Sequence, residues 1–149
     1  MIYFVDEDHR KLRALVTELE FFGYDAEIIK DADSAFTALS GVSPDDIDIV
    51  IIDVMLAVRV NGSNSRYTRE RTDDYHQTGL MLLDDLAISN AEVFPNKALF
   101  FTHASNNELL SLVQKKSEEH GTIYLRKRDF NTAFEFAIKV DAIIKERRI

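Results

Sequence analysis

Five short apolar runs, each followed by a stretch of helical periodicity, constrain this chain more than any other feature of its sequence. Residues 1–5 (MIYFV) are wholly apolar, as a strand covered on both faces must be. Leu12, Leu15, Val16, Leu19 and Phe22 then recur at helical spacing, and Gly23 supplies a C-terminal stop. Residues 26–29 predict a second strand, followed by a short helix over about 33–40 with Asp31 or Asp33 as its N-cap. Gly41 and the turn Ser43-Pro44-Asp45 close that helix. The most strand-like segment is 47–52, rich in β-branched residues and ending at Asp53. Beyond it the pattern predicts a helix over 80–89, a strand over 98–101, a helix over about 106–120 and a strand over 122–125. A last helix carries Phe130, Phe134, Ala137, Val140 and Ile144 along one face. Such alternation specifies an α/β domain whose parallel sheet has helices on both faces.

One stretch interrupts the rhythm. The 22 residues 57–78, AVRVNGSNSRYTRERTDDYHQT, show little apolar periodicity and predict a long insertion between strand three and helix three. It is a tolerated surface insertion, or else a functional one: a partner-recognition loop, or a lid over an acidic site, built on Arg59, Arg66, Arg69, Arg71, Tyr67, Tyr75 and His76. With 149 residues, the chain has room for one domain plus this loop.

Charge narrows the partners. The net charge of −8 makes direct nucleic-acid binding a poor expectation, because phosphate contacts need a basic surface. The acidity is local: residues 1–56 carry 13 acidic and 4 basic side chains, whereas 80–149 balance at 10 and 10. Absence of cysteine excludes disulfides, thiolate metal sites and cysteine catalysis. No apolar run approaches a membrane span, so no membrane association and a cytoplasmic location are expected.

In open parallel sheets, ligands gather at the carboxyl ends of the strands. There this sequence places Asp6, Glu7 and Asp8 after strand one, Asp53 after strand three, Thr102 at strand four and Lys127 after strand five. Each has an ordinary structural account: an acidic triplet suits a helix N-terminus, a threonine caps, a lysine is solvated. Their joint placement at four strand ends is what points to a site. Carboxylates converging from strands one and three would raise one another's pKa unless a cation lay between them, and hard oxygen ligands suit Mg²⁺.

These residues resemble the receiver domain of bacterial two-component response regulators, over nearly the whole chain outside the insertion. The matching pieces are Tyr3-Phe4-Val5-Asp6-Glu7-Asp8, Asp48-Ile49-Val50-Ile51-Ile52-Asp53-Val54-Met55-Leu56, Gly79-Leu80, Phe100-Phe101-Thr102 and Tyr124-Leu125-Arg126-Lys127. The resemblance implies a flavodoxin-like, doubly wound five-stranded sheet in the order 2-1-3-4-5, in a single receiver domain over 1–149. By position it makes Asp53 the phosphoacceptor. Asp6, Glu7, Asp53 and the backbone carbonyl of Met55 would be Mg²⁺ ligands, with Thr102 and Lys127 holding the phosphoryl group. Thr102 and Tyr124 would form the switch. The implied function is a stand-alone regulator, phosphorylated by a sensor histidine kinase or phosphotransfer protein and acting on an unidentified downstream protein. The alternative is a pseudo-receiver, an interaction module that works without phosphorylation.

The sequence departs from the family at four places, one of them the insertion itself, which begins beside the site at residue 57. Ala57 replaces a common proline, and His103 stands where a small residue is preferred, so its ring would narrow access to Asp53. Arg128 replaces the proline that usually follows the lysine. A cis bond before a non-proline residue costs about 2.5–4 kcal/mol, so a trans Lys127–Arg128 bond is expected. The Met55 thioether cannot position an attacking water, which predicts slow self-dephosphorylation. Enzymes of similar layout fit less well. An FMN-binding loop would not carry Asp6-Glu7-Asp8, and an aspartate-nucleophile phosphatase would carry an acid at the position of Met55. No histidine pair has metal-binding spacing; His9 and His120 fall at helix ends.

Overall fold

The computed structural model describes residues 1–56 and 65–147, in which five strands and five α-helices alternate. They are β1 (Ile2–Val5), α1 (His9–Phe21), β2 (Ala26–Ile29), α2 (Ala32–Leu39), β3 (Ile49–Ile52), α3 (Thr78–Ser89), β4 (Ala98–Thr102), α4 (Asn107–His120), β5 (Ile123–Arg126) and α5 (Ala133–Arg147). Short 3₁₀ turns at Pro44–Asp46 and Lys127–Asp129 precede β3 and follow β5. All neighbouring strands pair in parallel, in the order β2-β1-β3-β4-β5. This is the flavodoxin-like topology that the resemblance implies.

Alternation along β3 shows why its run is unbroken. Ile49 and Ile51 join Phe4, Leu99 and Phe101 on the face covered by α1 and α5, where Leu12, Leu19, Phe136 and Val140 complete the core. Val50 and Ile52 join Val5 and Phe100 on the opposite face, against Leu39 of α2, Leu83 of α3 and Val113 of α4. Every residue of this strand is buried, so neither face tolerates a polar side chain.

Local signals set the helix ends. Asp8 caps α1 by accepting from the Lys11 amide, and Asp31, rather than Asp33, caps α2 by accepting from the Ser34 amide at 2.7 Å. α1 ends at Phe21, and the chain then turns through Gly23 at a φ of +94°. On α5 the buried face is Phe136, Ala137, Val140, Ile143 and Ile144, while Phe134 is 53% exposed and only borders Phe22. Helical phase explains this: Phe134 sits two residues before Phe136 and so faces away from the sheet.

Ala57 and Arg59 lie outside the described residues. The returning half of the insertion is anchored to α2 and α3. Tyr67 is fully buried in the core beside the sheet. The Arg66 guanidinium lies 3.6 Å from the centre of the Phe36 ring and 3.6 Å from Asp85, which also pairs with Arg71. Asp33 accepts from the Ser65 hydroxyl at 2.7 Å and from the Arg66 amide at 3.3 Å. A long aromatic side chain with its own buried seat behaves as core: Tyr67→Ala is expected to cost about 3–5 kcal/mol in chemical denaturation. A solvated loop would register within about 0.5 kcal/mol.

Candidate functional site

The parallel topology brings the carboxyl ends of β1, β3, β4 and β5 to one sheet edge. β1 delivers Asp6, which is 3% exposed. One carboxylate oxygen of Asp6 accepts from the Asp8 amide at 2.9 Å and the other from the Lys127 ammonium at 2.8 Å. β3 delivers Asp53, whose backbone amide bonds to the Val5 carbonyl at 2.9 Å, locking it beside Asp6. The same Lys127 ammonium is 3.6 Å from an Asp53 oxygen. Lys127 opens the 3₁₀ turn after β5; the cis peptide among the described residues is Phe94–Pro95, so Lys127–Arg128 is trans, as expected.

Asp6, Asp53, Thr102 and Lys127 line one cavity of about 270 Å³, with Glu7 and Met55 at its margin. Thr102 is buried at the end of β4, and its hydroxyl accepts from the Ala104 amide at 3.0 Å. His103 lies on the exposed rim, as its position after Thr102 requires; burial and the Lys127 charge push its imidazole below the ordinary value. Tyr124 does not line this cavity. It is half-buried on β5, opposite Phe100 in register, and packs against the α2–α3–α4 face. His9 and His120 sit at helix ends, where His120 bonds Asp84 at 2.6 Å, and His76 lies in the insertion before α3.

One lysine serves two carboxylates, and the balance shows at Asp53. Burial raises its pKa to about 7, the Asp6 charge adds to the rise, and Lys127 and the Met55 backbone N–H oppose it. Among the described residues no three acidic or imidazole side chains gather tightly enough to hold a metal by themselves. Mg²⁺ nevertheless takes one or two carboxylates and retains waters, so Asp6 and Asp53 are a fitting donor pair. Glu7 is exposed beside them.

Gly79, at the start of α3, is a requirement that the sequence pattern conceals. A Cβ there would lie 2.1 Å from the Asp53 carbonyl oxygen and 2.8 Å from the Val54 Cα. The Gly79 amide bonds the Val54 carbonyl at 2.8 Å, so helix and strand end are drawn together over a gap that only hydrogen fits. Spacing alone does not reveal it, because the 25 residues between Asp53 and Gly79 in sequence are closed only by the fold.

The architecture matches solved receiver domains. A CheY-like response regulator receiver domain protein from Methanospirillum hungatei JF-1 superposes with a TM-score of 0.66 at 18% identity, covering 99% of this chain and 94% of that one. The chain has the receiver-domain fold. The Francisella response regulator 1452 receiver domain gives 0.63 at 19% identity, covering 97% and 96%. A response regulator receiver protein from Pseudoalteromonas atlantica gives 0.65 at 18% identity, covering 97% of each chain. No protein-family model and no curated protein matches the sequence. On this receiver fold, the sheet edge holding Asp6, Asp53 and Lys127 is the candidate site.

Two outcomes follow from its geometry. Gly79→Ala is expected to lower stability by more than 2 kcal/mol, read by denaturation, and to shift the Asp53 amide resonance, since backbone rather than a flexible side chain must yield. The raised Asp53 carboxyl means that, without metal, the native state binds more protons than the unfolded chain between pH 4 and 7. Stability contributed by the protonated form is complete below the unfolded value and is lost as pH rises towards about 7, by up to about 4 kcal/mol. Asp53→Asn should flatten that slope in urea titrations run in EDTA.

Proposed function

We propose that this protein is a response-regulator receiver, phosphorylated on Asp53 by a histidine kinase or phosphotransfer protein. The observation that carries the reading is the placement of Asp53 beside Asp6, with the Lys127 ammonium 3.6 Å from the acceptor carboxylate and 2.8 Å from its neighbour. An Asp53 oxygen would attack phosphorus in line as the bond to the donor nitrogen breaks, producing an acyl phosphate. Phosphoryl transfer depends mainly on positioning and charge neutralisation. Lys127 supplies a fixed positive charge; at about 4 Å and an effective dielectric near 20, such a pair is worth roughly 4 kcal/mol.

Mg²⁺, held by Asp6, Asp53 and the Met55 carbonyl with Glu7 beside them, would supply the second charge that neutralises the transferring group. It would also favour the ionised Asp53 that attack requires. Thr102, buried at the adjacent strand end, would donate its hydroxyl to a phosphoryl oxygen. Such a movement would vacate space towards β5, where Tyr124 packs, and would bias the surface offered to a downstream protein.

A second reading, the phosphorylation-independent pseudo-receiver, has one observation in its favour: Lys127 is nearer to Asp6 than to Asp53. Mass spectrometry after incubation with acetyl phosphate and Mg²⁺ separates the two. One added phosphoryl group, lost in Asp53→Asn, supports the receiver; no addition, together with no Mg²⁺-dependent binding of a phosphoryl mimic, supports the module. Once formed, the adduct is expected to persist for minutes or longer in Mg²⁺ buffer, because Met55 offers no group to orient water. Decay within seconds would contradict that role for Met55.

A further inference from the structure

A second, larger groove lies beside the candidate site. It measures about 350 Å³ and is formed where the end of the insertion meets α4. Its apolar floor is Met55, Leu109 and Leu112. Asp73 and Glu108 bring two carboxylates to its lining, with His76 of the insertion beside them in the same wall. No lysine or arginine lines it among the described residues. Among the described residues, the insertion's arginines are paired with other carboxylates: Arg66 and Arg71 with Asp85, Arg69 with Asp74 at 2.8 Å.

That wall is also built at a conformational cost. Asp73, Asp74 and Tyr75 have φ values of 51°, 55° and 66°, a left-handed run without glycine. Each such residue costs roughly 1–2 kcal/mol, and strain of this kind concentrates at functional sites. Here it is held by the Asp74 amide on the Arg69 carbonyl at 2.7 Å, the Gln77 amide on the Thr72 carbonyl at 2.9 Å and the Tyr75 amide on the buried Thr72 hydroxyl at 3.0 Å. Asp73 from the insertion and Glu108 from α4 both line the groove.

We propose that this groove docks a segment of a partner protein that presents an arginine or lysine next to an apolar residue. The chemistry of such a side chain matches the groove in two parts. Its aliphatic stem covers the Met55–Leu109–Leu112 floor while its charge reaches the two carboxylates. The volume suits one long side chain and part of its neighbour, at the lower end of ordinary ligand sites. Apart from Met55, none of these residues lines the cavity around Asp53.

The test is a titration of the full chain, ¹⁵N-labelled, with acetyl-Leu-Arg-Leu-amide. Saturable shifts confined to 73–77 and 106–112 are expected, and they should persist in Asp53→Asn, so loss of the phosphoacceptor reading leaves this result intact. The double variant Asp73→Asn, Glu108→Gln should weaken binding at least tenfold; asparagine tolerates the left-handed backbone, so the loop is preserved. Asp45→Asn, in the turn before β3, should bind as the parent does. The peptide with glutamine in place of arginine should bind at least tenfold more weakly to the parent chain, a comparison that needs no variant to fold. Equal binding of the two peptides, shifts elsewhere, or free arginine binding as tightly as the arginine peptide would each overturn the proposal.

Discussion

Lys127 crosses the end of the sheet to reach two carboxylates that the fold buries side by side, and the rest of the site depends on that reach. β5 is separated from β3 by β4, and from β1 by both. A long, flexible cation at the start of a turn is therefore the group able to bridge them. Burying an ion costs several kcal/mol after relaxation, and only good geometry with added hydrogen bonds offsets it. Asp6 has that geometry, with a backbone amide on one oxygen and Lys127 on the other. Asp53 holds the longer contact with the same lysine, and burial, only partly opposed by that charge, lifts its carboxyl to about 7. The pair is short of one positive charge. A hard divalent cation is the ligand class that would supply it.

The position of Asp53 is secured from below as well as from the side. Its amide is tied to β1, and the chain after it returns as α3 at Gly79, pressed against the Asp53 carbonyl. The described part of the insertion reinforces this return. Asp33 and Phe36 hold Ser65 and Arg66 to α2, while Asp85 gathers Arg66 and Arg71 to α3. Buried Tyr67, Thr72 and Thr78 continue the core up to the first turn of α3. An insertion held in this way directs the backbone into Gly79 along a defined path, which a merely tethered loop would not do.

Much of this was legible in the chain because periodicity and burial are coupled. A strand covered on both faces must be apolar throughout, which made 47–52 readable, although its first two residues continue the preceding turn rather than the sheet. Strand order supplied the convergence of Asp6 and Asp53, and the pairing of Asp6 with Lys127, 121 residues apart, follows from it. The insertion was opaque for the opposite reason. Tyr67 is one of two tyrosines in a polar stretch, with no repeat to mark it rather than Tyr75 as core, and the neighbouring Arg66 and Arg71 find Asp85 only through the fold. Phe134 misled in the other direction, since hydrophobicity without the correct helical phase does not imply burial.

The acidic excess of the first 56 residues divides along the same physical line. Asp8 and Asp31 accept backbone N–H groups at helix starts, where a negative charge is favourable without any cation. Asp33 holds the returning insertion through one hydroxyl and one amide. These carboxylates lower the energy of the fold by themselves. Asp53 does the reverse: buried beside Asp6, it is only partly compensated by the lysine the two share. Consistency between local preference and global fold therefore holds along most of the chain and fails at the sheet edge. A fold that keeps an under-compensated carboxylate there, while placing its other acids favourably, leaves its least favourable charge at Asp53.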